Sequence, residues 1–232
     1  MLSRTFRLFV VKVGSSRRGL RSLYSIWRAV PYPLRRVGTA LFILYTLGMK
    51  KLFKVDANNA LTPADELGNL SFWGVPDIDL VTYRLQIGGS VEQPISLSFN
   101  DLSRLPSITR EVRMDCVGGF RNNTVMEGVP LKALLDGAGV MPGVQRVVFH
   151  CADGYYSSLE LQELIQREAF LVYSMNGEGI PKFGFPLRLA IPGKYGYQWA
   201  KWVVRIELVT DQRKGHWAAL GLPDRGDLGD VW

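Results

Sequence analysis

Between residues 83 and 209 the chain is built mostly from short alternating runs. Tyr83, Leu85 and Ile87 occupy every second position and stop at Gly88-Gly89; Ile95, Leu97 and Phe99 repeat the pattern. A period of two puts all apolar residues on one face, so each run predicts a half-buried strand closed by a turn. Residues 144–151, 170–173, 186–191 and 202–209 read as further strands, and Asn176-Gly177-Glu178-Gly179 supplies a hairpin turn. Helical spacing is confined to three places. Leu131, Leu134 and Leu135 form one face, stopped by Gly137 and Gly139; Leu161, Leu164 and Ile165 form another, capped by Ser157 or Ser158; Asn100 caps a short helix through Leu102. Strands outnumber helices and do not alternate with them regularly. The expectation is a mixed-sheet α+β fold rather than a doubly wound sheet.

Charge divides the chain. Residues 1–54 hold 12 of the 28 Lys and Arg and no acid, which leaves 16 basic against 21 acidic residues, a net of −5, for the remainder. A basic arm on a mildly acidic body argues against a nucleic-acid-binding fold and for a segment that meets anionic lipid or directs targeting. Within the arm, residues 37–49 are apolar and uncharged between Arg35-Arg36 and Lys50-Lys51. That is short of the roughly 20 residues of a bilayer span, but Leu34, Leu52 and Phe53 extend it if the flanking cations snorkel. The expectation is an uncleaved membrane anchor; a cleaved presequence and a helix docked on a partner are the alternatives. The basic excess before the run places the globular domain on the extracytoplasmic, periplasmic side. Residues 55–68 read as a linker, 69–211 as the domain and 212–232 as a Gly- and Asp-rich tail that wraps the surface.

Chemistry points first to Arg113-Met114-Asp115-Cys116-Val117-Gly118-Gly119-Phe120-Arg121. One of only two cysteines ends an alternating segment and runs into two glycines. A thiolate suits a soft metal centre, and glycines let the backbone approach a bulky ligand. The same pattern also fits a plain buried thiol. Similarly, Arg188 could be a surface ion pair, Lys201 a solvated strand residue, Cys151 core and Asp153-Gly154 a simple turn. His150 faces away from Cys151 on an extended strand and reads as structural.

Four segments fall in order: Asp115-Cys116-Val117-Gly118-Gly119 with Gly128-Val129-Pro130-Leu131; Ala152-Asp153-Gly154-Tyr155-Tyr156-Ser157-Ser158-Leu159; Asn176-Gly177-Glu178 leading to Gly184-Phe185-Pro186-Leu187-Arg188; and Pro192-Gly193-Lys194-Tyr195-Gly196-Tyr197-Gln198-Trp199-Ala200-Lys201-Trp202. Together, over about residues 60–210, they resemble the molybdopterin-binding domain of the sulfite oxidase family, in particular its small bacterial members such as the catalytic subunit of periplasmic methionine sulfoxide reductase. The resemblance implies a sulfite-oxidase-type molybdopterin-binding fold and a molybdenum held by pterin dithiolene sulfurs and one cysteine. Cys116 falls at the cysteine position. Arg188 and Lys201 fall where the family sets cations against the pterin phosphate, a role that suits a bidentate Arg. Trp199 and Ala200 match a segment that gives backbone contacts, Cys151 a Ser or Thr contact, and Asn69, Phe72 and Trp73 a pterin-contacting stretch. Tyr155, Tyr156 and Arg121 are candidates for the substrate side. Phe183 stands where the family often has His or Asn, and Met126-Glu127 replaces a common tryptophan. There is no C-x-x-C-H haem motif, and the further C-terminal dimerisation domain of sulfite oxidases proper is not expected here. The implied activity is oxygen-atom transfer by a membrane-anchored molybdenum oxidoreductase, with electrons exchanged with a membrane redox protein or larger membrane complex. The alternative is a scaffold subunit that keeps the fold without the cofactor.

Overall fold

The computed structural model describes residues 60–63, 65–71 and 74–229. The expected anchor at 37–49 and the candidates Phe72 and Trp73 lie outside these residues. Among the described residues, no helix is long and apolar enough to cross a membrane.

Among the described residues, ten strands and four short α-helices follow one another as β1 (Arg84–Gly89), β2 (Ile95–Ser98), α1 (Phe99–Ser103), β3 (Ile108–Asp115), β4 (Arg121–Pro130), α2 (Leu131–Ala138), β5 (Arg146–Cys151), β6 (Tyr156–Glu160), α3 (Leu161–Gln166), β7 (Phe170–Met175), β8 (Glu178–Gly179), β9 (Arg188–Ala190), β10 (Val203–Val209) and α4 (His216–Ala219). One sheet runs β2-β1-β10-β5-β6. The other runs β3-β4-β7-β8, with β9 also paired to β7. Only β1 and β10 are parallel; the remaining ladders are antiparallel. This is the mixed-sheet α+β architecture that the alternating runs predict.

Alternation sets the core. Leu85 and Ile87 of β1, Val147 and Phe149 of β5, and Ile206 and Leu208 of β10 are buried in the first sheet; Met126, Val129, Leu171 and Leu189 are buried in the second. Helix α2 closes over them with Leu131, Leu134, Leu135 and Ala138. Each such side chain contributes about 1.5–3 kcal/mol by leaving water.

Two caps differ from expectation. Ser98, not Asn100, caps α1, in a reciprocal box with Asp101. Ser157 and Ser158 cap nothing: both are buried in β6, and α3 starts from Glu160 with no side-chain cap. Pairing of β6 with β5 extends the strand through the serines, a tertiary contact that overrides their local preference. Residues 60–71, read in part as linker, are tied to the fold. Gly68 exchanges two hydrogen bonds with the Asn122 side chain, Asn123 Nδ2 donates to Ala60 C=O, and Asn176 Nδ2 donates to Thr62 C=O. Three asparagines thereby accommodate backbone that would otherwise lack partners.

Candidate functional site

Four chain segments meet where the sheets adjoin. Strand β3 ends at Asp115 and β5 at Cys151; β9 begins with Arg188; Lys201 lies two residues before β10. Backbone bonds from Val203 N–H to Leu187 C=O and from Leu189 N–H to Ala200 C=O join the start of β10 to β9. A parallel bridge between Asp115 and Tyr195 brings the end of β3 to the same loop.

Cys116 follows β3 directly. Its N–H donates to Phe120 C=O and its own carbonyl accepts from Gly119, which closes the glycine turn. Gly118 N–H donates to Sγ at 3.3 Å. Burial pushes the thiol up to about 11, while the Gly118 N–H and the charge of Lys201 pull it back. The residue is only partly buried as a whole, but the sulfur itself is desolvated. A thiol like this stays protonated in neutral water unless a metal displaces the proton.

Arg188 is 3% exposed. Its guanidinium makes a long contact with Met175 Sδ at 3.9 Å and lies 5.7 Å from the centre of the Trp199 ring. Its Nε has no hydrogen-bond partner among the described residues, and burial lowers its pKa to about 10. A buried cation without a carboxylate is costly. Lys201 Nζ donates to Asn69 Oδ1 at 2.9 Å, Leu70 C=O at 2.6 Å and Ser71 Oγ at 3.0 Å, and lies 4.7 Å from the Trp202 ring centre. Burial and then the neighbouring Arg188 lower its pKa to about 8, while Asp153 acts the other way. Gly184, at φ +122°, separates the two cations; a Cβ there would stand 2.7 Å from Arg188 Cβ. Only glycine permits so close an approach at that φ. Two cations drawn together in a desolvated site fit an anionic group.

A family model described as the oxidoreductase molybdopterin binding domain matches residues 72–217. The chain belongs to this family. Its molybdopterin-binding domain is 32% identical to an uncharacterized oxidoreductase, YuiH, of Bacillus subtilis over 64% of this chain and 76% of that one. It is 29% identical to the protein-methionine-sulfoxide reductase catalytic subunit MsrP of Gluconobacter oxydans over 64% of this chain and 54% of that one. The sulfane dehydrogenase SoxCD of Paracoccus pantotrophus superposes with a TM-score of 0.56 at 28% identity, over 60% of this chain and 41% of that one. The chain thus spans about half of several relatives, and the fold is of the sulfite-oxidase type. Arg188, with its unpartnered Nε, and the Gly184 approach fit the phosphate of a molybdopterin.

The remaining candidates divide. Cys151 joins the site: its buried thiol accepts from Lys201 N–H and is held well above the usual range by burial and Asp153. Asn69 joins it through Lys201. Phe183 lies on a 3-10 turn (Pro181–Phe183) that leads into Gly184 and packs on the core. Trp199 is buried beneath Arg188, with Nε1 donating to Lys194 C=O; the Trp199 and Ala200 N–H groups donate to Gly196 and Gln198 carbonyls. Tyr155 is held by a hydrogen bond from its hydroxyl to Tyr197 C=O. Tyr156 meets the His216 ring edge-on. Arg121 pairs with Asp115, which Arg113 also approaches. His150 binds Glu207 on the face away from Cys151. Ser71 was not singled out from sequence; Gly184 and Asp153 fell within the quoted motifs, but neither was assigned a place in the site, and Asp153-Gly154 was weighed as a simple turn. Asp153 accepts from Tyr155 N–H, and its charge reaches Lys201, Cys151 and His216.

Proposed function

We propose that this chain is a molybdenum–molybdopterin oxidoreductase that catalyses oxygen-atom transfer. The observation that carries the reading is the buried guanidinium of Arg188, which has no acid partner among the described residues and stands beside Lys201. Both cations would hold the cofactor phosphate, with Cys116 supplying the metal's protein ligand and Cys151 and Asn69 lying alongside. Among the described residues, no group of three or more His, Cys, Asp or Glu can hold a metal alone, so a metal at Cys116 would take its other ligands from the cofactor. The bound group would supply the two-electron oxygen-atom chemistry. This chain's residues would place it, keep water from the sulfur and balance its charge. Arg121, fixed by Asp115 one residue before Cys116, is the candidate to orient an anionic or polar substrate, and Tyr155 is the second candidate for the substrate side.

The relatives include a protein-methionine-sulfoxide reductase subunit and mitochondrial sulfite oxidases, which supports sulfur-centred substrates. The acid-free arm with its apolar run at 37–49 supports attachment to a membrane, with the domain on the periplasmic side and electrons exchanged with a membrane redox protein. The test is metal and pterin analysis of the purified full chain. About one molybdenum and one pterin per chain, both lost in Cys116→Ala, are expected; wild-type protein without either would overturn the reading.

One observation favours the scaffold alternative. All three Lys201 donors are already engaged by residues 69–71, and Phe183 offers no polar group. In that reading the segment 69–71 stands in for the cofactor, and the same analysis separates the two.

A further inference from the structure

The family match ends at residue 217, yet the tail that follows is bound to the site. Residues 223–229 lie along the loop of residues 193–198, and each polar side chain of that loop meets a backbone group of the tail. Tyr197 Oη donates to Pro223 C=O at 2.7 Å, Gln198 Nε2 to Asp224 C=O at 2.7 Å and Lys194 Nζ to Arg225 C=O at 2.6 Å. Tyr195 N–H donates to Gly226 C=O at 2.8 Å, and Leu228 N–H to Gly193 C=O at 3.2 Å.

A buried charge cluster locks this arrangement. Lys194 is 0% exposed. Its ammonium lies 2.9 Å from Asp227 and 2.6 Å from Glu163. Arg167 and Arg225 hold the same two acids from outside, and Asp224 pairs with buried Arg146. At Gly226, φ is +62°, and a Cβ would come within 2.7 Å of Tyr197 Oη and 2.8 Å of Gln198 Cγ. The strap therefore presses on the loop as closely as a backbone can.

The loop is one wall of the site. Tyr195 bridges Asp115, beside Cys116, and Gly196 packs on Met114. Its C-terminal end carries Trp199, under Arg188, and Lys201.

We propose that residues 223–229 form a positioning strap, with Asp227 and Gly226 acting through Lys194 and Tyr197 to hold the loop against Cys116 and beneath the cations, and so to control how tightly molybdopterin is retained. The retention part rests on the cofactor reading above; the effect on Cys116 does not.

The experiment compares wild-type full chain with Gly226→Ala, which lifts the strap and keeps every charged group, and Asp227→Asn, which removes the pairs with Lys194, Arg167 and Arg225 and keeps the shape. Leu102→Ala, in α1, serves as the control for stability loss elsewhere. Two readouts are taken: the alkylation rate of Cys116 in cofactor-free protein, resolved from Cys151 by peptide mass mapping, and the half-life of bound pterin in loaded protein. Both strap variants are expected to speed Cys116 alkylation about tenfold through easier local opening and to shorten pterin retention, while Leu102→Ala at a comparable Tm loss changes neither. Alkylation rates in the strap variants no higher than in Leu102→Ala would overturn the strap. Unchanged pterin half-lives with faster alkylation would overturn its role in retention. Wild-type protein that takes up no pterin, with alkylation still accelerated in the variants, would overturn the cofactor reading and leave the strap's hold on the loop standing.

Discussion

Arg188 and Lys201 flank Gly184 so closely that a β-carbon built there would stand 2.7 Å from Cβ of the first and 3.1 Å from Cβ of the second. Burial alone depresses the arginine, and burial together with the arginine depresses the lysine. The arginine makes the lysine harder to keep charged. A phosphate between them would relieve both.

Replacing the guanidinium should therefore separate stability from binding. Arg188→Met keeps the length of the side chain and removes a buried, partly unpartnered charge. Cofactor-free protein should gain about 1–3 kcal/mol, while pterin content falls at least tenfold. Chemical denaturation of the cofactor-free form, alongside pterin quantification, checks both halves; loss of stability in the cofactor-free form would contradict the assigned frustration.

The lysine gives a pH signature. Its folded pKa, about 8, lies below its ordinary 10.5, so between these values the unfolded chain binds more protons than the folded one. Stability then rises with pH in that window, by up to about 1.4 kcal/mol per unit. Below pH 8 the charged, buried ammonium weighs fully against folding. The raised thiols of Cys116 and Cys151 oppose the gain above their ordinary value of 9.0. Cofactor-free wild type should thus become more stable from pH 8 to 9, and Lys201→Met should lose that rise. Denaturant midpoints across the window decide it.

Gly184→Ala should damage the site without touching a charged group. The backbone sits at φ +122° and the new carbon would collide with Arg188. A cost of about 1–3 kcal/mol is expected, together with loss of pterin, read by thermal unfolding and cofactor content. Wild-type behaviour in both would mean that the loop relaxes freely.

Tyr155→Phe tests the opposite case. The hydroxyl is engaged by Tyr197 C=O, so its removal should cost about 0.5–1.5 kcal/mol and leave pterin content unchanged. A drop in turnover larger than the stability loss explains would assign the hydroxyl to substrate.

The strands and the family were legible along the chain because both depend on near neighbours. Alternation at Tyr83, Leu85 and Ile87 gave a strand through steric period alone, and Cys116 before Gly118-Gly119 marked a thiol at a strand end. The serines at 157 and 158 misled because their cap preference is weaker than a ladder to β5. Tyr155 and Arg121 carry no local sign of the carbonyl and carboxylate that engage them.

Order and spacing of short motifs were thus settled by the amino-acid sequence: which residues alternate, where a thiol meets a flexible turn, and which family's pattern they follow. Folding alone decided the charge balance. Arg188 is buried without an acid, Lys201 is tied to Asn69 across 132 positions, and Asp227 returns to Lys194. Electrostatic energy depends on separation in space and on exclusion of water, and neither is set by neighbours along the chain.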